Sequence, residues 1–161
     1  MKALLACAAL AAILPLSAHA REAPGFATSM TGTVLYVVDP DRAVAFYRDA
    51  LGLSLAMTLD HGTRREYMLR FSADPAQPGL ILLHDSAADA PVRLEMGNGF
   101  SRLVLRVSDM DALAARLDAM KIDHPAPRDA GHGYRMMMIT DPEGYRIEVI
   151  QQAAKPTEHR P

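Results

Sequence analysis

Along the chain, strand-like composition gives way to helical spacing and then returns, and this happens twice. Residues 33 to 38 (TVLYVV) are β-branched or aromatic apart from Leu35, the composition of a strand. The side chain of Asp39 can accept from the first free amides of a helix, and Pro40 suits the first helical turn. Val44, Tyr47 and Leu51 then recur at helical spacing, and Gly52 is placed to close the helix in a left-handed conformation. Three strand-like runs follow: LSLAMTL, REYMLRF and GLILLHD. Further on the order repeats. A strand starts at Arg102, and Ser108 or Asp109 caps a helix whose buried stripe is Leu113, Leu117 and Met120. Strand-like pieces come next near Ile122, in YRMMMIT and in YRIEVIQ.

The two halves are copies of one unit. GTVLYVVDPDRAVAFYR, from residue 32, aligns with RLVLRVSDMDALAARLD, from residue 102, at an offset of 70 with six identical positions. Such self-similarity marks a duplicated supersecondary unit. Each half reads β-α-β-β-β, the first over about residues 31–86 and the second over about 101–152. A polar connection rich in Ala, Asp and Pro joins them, and residues 21–30 and 153–161 read as tails.

The beginning of the chain has a different character. Lys2 gives a positive start, residues 3 to 17 are almost wholly apolar, and Ala18-His19-Ala20 offers small residues at the −3 and −1 positions. This is the anatomy of a secretory signal over residues 1–20, implying a periplasmic or secreted protein. A spanning anchor needs about 20 apolar residues, and the run holds fifteen. Cys7, the sole cysteine, lies inside that run rather than at its end, which argues against a lipidated cysteine at the cleavage site. After cleavage no thiol remains to form a disulfide, attack a substrate or bind a metal. Without Lys2 there are 16 basic and 19 acidic side chains, a net charge of −3. Nothing in that balance points to nucleic acid or to a membrane surface after signal cleavage.

The repeat, the D-x-D-[RA] that opens each helix, FYRDALG closing the first, and DPEGYRIEVI near the end together resemble the vicinal oxygen chelate superfamily. That superfamily includes glyoxalase I, extradiol dioxygenases and bleomycin resistance proteins. The resemblance spans residues 31–152 and implies an α+β fold in which two tandem βαβββ modules form a cup-shaped, eight-stranded mixed sheet. It also implies a divalent metal (Zn, Ni, Fe or Mn) held by four side chains. Compared with glyoxalase I, the four positions fall at Gly32, Leu82, Arg102 and Glu148, so a single ligand type survives. A site with one carboxylate, a glycine, a leucine and a cation suits Zn²⁺ or Ni²⁺ poorly, and no metal cofactor is expected.

Strands alternate faces, so Arg102, Val104 and Arg106 share one side while Leu103, Leu105 and Val107 share the other. The all-apolar set must pack on the helices, which leaves the first set facing the cup. By the same parity Glu148 points into the cup, and Arg102, whose planar fork matches a carboxylate, is expected to pair with it. Tyr36 and Arg106 occupy equivalent cup-facing positions. His84, two residues after Leu82, either replaces a missing ligand beside Glu148 or stands at the rim. Met136 and Met138 line an adaptable apolar pocket or plug a disused one. Gly131-His132-Gly133-Tyr134 is either a loop over the ligand or a plain turn.

Two functions of different kind follow. One is an exported cup that binds a small, anionic and partly apolar molecule through Arg102, Arg106, Tyr36, His84, Tyr134, Met136 and Met138. The other is a glyoxalase I-like lyase or isomerase, with Glu148 as metal ligand and catalytic base. A homodimer is compatible with both.

Overall fold

The computed structural model describes residues 28–152, so the proposed signal and the C-terminal tail lie outside the described residues. The first half consists of β1 (Gly32–Tyr36), α1 (Pro40–Ala45), β2 (Ser54–His61), β3 (Arg64–Arg70) and β4 (Gly79–Asp85). The second consists of β5 (Leu103–Arg106), α2 (Met110–Ala119), β6 (Arg128–Gly131), β7 (Tyr134–Thr140) and β8 (Arg146–Gln152). The expected α+β duplication is present. Its eight strands stand as two four-stranded mixed sheets, ordered β1-β4-β3-β2 and β5-β8-β7-β6, rather than one continuous sheet.

Local chemistry accounts for both helices. Asp39 accepts from the Arg42 amide at 3.0 Å, and Asp109 accepts from Asp111 and Ala112 at 3.0 and 2.9 Å. Each is a side-chain N-cap. α1 widens into a π-helical stretch over Phe46–Ala50 and ends at Gly52, whose φ of +77° is the left-handed closure expected there. Leu35, Val37, Tyr47, Leu80 and Leu82 from the first half join Met110, Leu117, Ile139, Ile147 and Val149 from the second in one buried cluster.

Three local expectations are corrected. Met120 is 40% exposed because α2 ends at Ala119, and Met110 supplies the buried stripe in its place. No strand forms at Ile122, which packs on the core from a loop. Pro125 and Pro127 cannot donate to a ladder, and pairing resumes only at Arg128. Between β6 and β7, His132 and Gly133 form a two-residue turn with φ of +53° and +74°, the left-handed pair of a type I′ hairpin. The segment is a tight turn and not a loop laid over a ligand.

The DPEG stretch, after β7, fastens one half to the other. Asp141 is 4% exposed and accepts from the amides of Glu143 and Tyr145 at 2.9 and 2.8 Å. Its second oxygen accepts the Tyr47 hydroxyl of the first half at 2.7 Å. Glu143 Oε1 accepts the Val38 and Asp39 amides at 3.2 and 2.9 Å, and the Tyr145 hydroxyl donates to the Tyr36 carbonyl at 3.0 Å. The turn of the second half thus satisfies the β1–α1 junction of the first. Burial raises the Asp141 carboxyl above the usual carboxylate range, while Tyr47 and the turn amides pull it back part of the way. Burial, followed by the Asp141 charge, pushes the Tyr47 hydroxyl far up, so at neutral pH it is always a donor.

Asp141→Ala should cost about 3 kcal/mol, because it strands two amides and a buried hydroxyl together. Urea unfolding checks this, and Tyr47→Phe should lose roughly half as much.

Candidate ligand site

Strand parity sorts the side chains of both sheets. In β1, Leu35 is buried while Val34 is 52% exposed. In β5, Leu103 and Leu105 turn inward while Val104 is 55% exposed. The register carries these faces across each sheet. Val34 pairs with Ile81, and Ile81 with Met68. Val104 pairs with Glu148, and Glu148 with Met138. One row over, Arg106, Ile150 and Met136 line up, followed by Arg128. These outward rows form the candidate cup face. Met137, Ile139, Ile147 and Val149 fill the opposite, buried side.

On this face the guanidinium of Arg102 donates through Nε to Glu148 Oε2, the ion pair expected from the sequence. Ser101 Oγ accepts from Arg102 Nη1 at 3.1 Å and helps fix the head group. The Glu148 side chain is 18% exposed and that of Arg102 42%, so the pair is partly solvated. Its worth is correspondingly modest.

The central row of the first half, Val34, Ile81 and Met68, carries no polar group. The counterpart of Glu148 is Ile81, since Val34–Ile81 repeats Val104–Glu148, and the counterpart of Arg102 is Gly32. A Cβ at Gly32 would meet the Gly79 carbonyl oxygen at 2.7 Å, so this backbone leaves no room for any side chain there. Among the described residues no three His, Cys, Asp or Glu side chains converge as a metal site requires. The four positions that the family resemblance marks therefore do not fit a divalent metal. They supply one carboxylate, already engaged, beside a cation.

The position given to Leu82, and with it the placement of His84, is corrected. Leu82 is wholly buried and pairs with Leu35 on the helix side, so the cup-facing residues of β4 are Ile81 and Leu83. His84 shares the Leu82 face. Its Nδ1 lies 3.1 Å from the Val37 carbonyl, which can only accept, so that nitrogen carries the hydrogen. It lines a small outer cavity with Tyr67 and Ser86 and is no partner of Glu148.

Tyr36, Arg106, Met136, Met138 and Tyr134 do lie on the cup face. Tyr134 sits at its edge opposite Gln152, whose Oε1 accepts from Arg106 at 3.4 Å. The Tyr36 hydroxyl is buried and has no hydrogen-bond partner among the described residues. Two further cations complete the face: Arg146, which the parity of β8 puts there with Glu148, and Arg128, which the sequence does not single out. Arg146 is legible by parity from Glu148, whereas Arg128 needed the β6–β7 register. On the second sheet four arginines stand against one glutamate, which makes that part of the face strongly cationic. A cavity of about 720 Å³ opens along the edge of β5, walled by Leu51, Leu53, Phe71 and Leu105 and reached by Asp74 and, from the cup face, by Arg106. Its lining is mainly apolar, and we place the ligand site instead on the cup face, where the polar side chains of the second sheet gather.

Duplicated βαβββ halves with an outward row of polar and apolar side chains define a glyoxalase-type fold. The chain belongs to the glyoxalase/bleomycin resistance protein/dioxygenase superfamily, whose family model matches residues 29–149. A probable lactoylglutathione lyase of Synechocystis sp. is 28% identical over 130 residues, covering 76% of this chain and 95% of that protein. Among solved structures, trypanothione-dependent glyoxalase I of Leishmania major superposes with a TM-score of 0.67 at 20% identity, covering 78% of this chain and 87% of that one. TnmS3, an antibiotic binding protein from Streptomyces sp. CB03234, superposes with a TM-score of 0.59 at 22% identity, covering 79% and 98%.

Arg102→Ala should destabilise the protein by about 1 kcal/mol, because Glu148 loses a half-exposed partner. In a double-mutant cycle with Glu148→Gln the two losses should fall well short of additive. Additive losses would mean that the pair does not interact.

Proposed function

We propose that this is an exported binding protein that holds a small, anionic, partly apolar molecule in its cup without a metal. The observation that carries the reading is the Arg102–Glu148 pair. In it, the one retained acid of the family pattern is committed to a guanidinium. The surrounding cup face supports it. Arg106, Arg128 and Arg146 have no carboxylate partner among the described residues, and Val104, Ile150, Met136 and Met138 supply apolar contact. Export rests on the charge and apolar run of residues 1–20.

We also propose a homodimer. β1 and β5 each keep one edge unpaired, and a second copy would cover both.

A second reading, a lactoylglutathione lyase-like enzyme with Glu148 as base, is favoured by relatives of that name at 25 to 30% identity. The fold serves both a lyase and a binder, so it does not choose between the two readings. Metal analysis and native mass spectrometry of protein recovered from its own cells separate them. The binding reading expects a dimer lacking residues 1–20, with no stoichiometric metal and no turnover of a glutathione hemithioacetal after incubation with Zn²⁺ or Ni²⁺. One metal per chain together with metal-dependent turnover would establish the lyase instead.

A further inference from the structure

One row of the second sheet has a cation at each end and an apolar middle. Arg106 of β5 pairs with Ile150 of β8, Ile150 with Met136 of β7, and Met136 with Arg128 of β6. All four side chains share the cup face. Arg135, next to Met136, confirms the parity by pairing with Asp111 of α2 on the opposite side at 2.7 Å. Neighbouring strands lie about 4.8 Å apart, so three spacings set the two arginine stems about 14 Å apart. Arg106 meets only the neutral Gln152 side chain, and Arg128 has no ion-pair partner among the described residues.

The first sheet has no such row. Tyr36 stands where Arg106 does, and its row continues through Leu83 to Glu66. The two-ended pattern therefore belongs to the second half alone. A guanidinium left unpaired beside apolar surface favours an acidic group that brings its own apolar body.

We infer that the bound molecule carries an acidic group at each end of an apolar span. One group lies on Arg106 and the other on Arg128, with the span across Ile150 and Met136. This rests on the cup reading and narrows it from an anion to a two-ended dianion. Arg102 is not available for either end, because Glu148 holds it. Arg146 lies off this row, beside Thr140.

Isothermal titration of the full-length mature protein with sebacate and dodecanedioate, against decanoate and dodecanoate, tests the inference. The dicarboxylates should bind roughly tenfold or more tightly than the monocarboxylates, the worth of one further charge-assisted contact. Arg106→Ala and Arg128→Ala should each abolish that preference, whereas Arg146→Ala should leave it. All three side chains are exposed and leave no carboxylate stranded, so the variants should fold, and circular dichroism checks that they do. Equal binding of mono- and dicarboxylates, with Arg128→Ala without effect, overturns the two-ended ligand while the cup reading stands. Loss of the preference in Arg146→Ala also overturns it. No binding of any of the four acids overturns the cup reading and this inference together.

Discussion

A buried carboxylate in a turn of the second half, bonded to a buried hydroxyl of the first, holds the halves of this molecule in one arrangement. Asp141 and Tyr47 are far apart in sequence, and the buried Tyr47 hydroxyl has no other partner among the described residues. Leaving either unpaired costs more than the bond itself contributes, which makes the junction nearly all-or-none. Glu143 adds a charged cap for the β1–α1 junction, and Tyr145 takes up the Tyr36 carbonyl. The sequence stretch most typical of the family is therefore a bolt. The cup-facing positions of β8 begin only after it.

With the halves held together, their divergence becomes the functional feature. Both inherit the same alternation, yet they fill the outward positions differently. The first half sets Val34, Ile81 and Met68 in its central row, while the second sets Val104, Glu148 and Met138 there. Gly32 and Gly79 pack so tightly that no Cβ is admitted, whereas Arg102 stands at the matching place in the other half. An apolar wall and a cationic wall have grown from one duplicated unit.

Much of this was legible from sequence because the repeat and the two-residue period are strong constraints. Strand composition at residue 33, the Asp39 and Asp109 caps and the left-handed Gly52 follow from local rules, the Arg102–Glu148 pairing follows from the positions the family resemblance marks, and the structure contains them all. The misplaced elements share a cause. Counting from Leu82, a position that the family resemblance marks, puts His84 in the cup. The β1–β4 register shows Leu82 to be core, and one residue of slip reverses every side chain. β6, with the sequence RDAG, has no strand composition and exists because β7 offers it a partner, so Arg128 could not be placed on a face beforehand. Met120 and Ile122 were read by spacing alone, and the end of α2 and the two following prolines decided otherwise.

Crystals of the mature protein grown in excess Zn²⁺ or Ni²⁺, with anomalous data collected at the metal edge, test the central claim most directly. The account predicts no anomalous peak on the cup face, with the Arg102 guanidinium still seated on Glu148. A peak bonded to the Glu148 carboxylate, with Arg102 turned out to solvent, would contradict it.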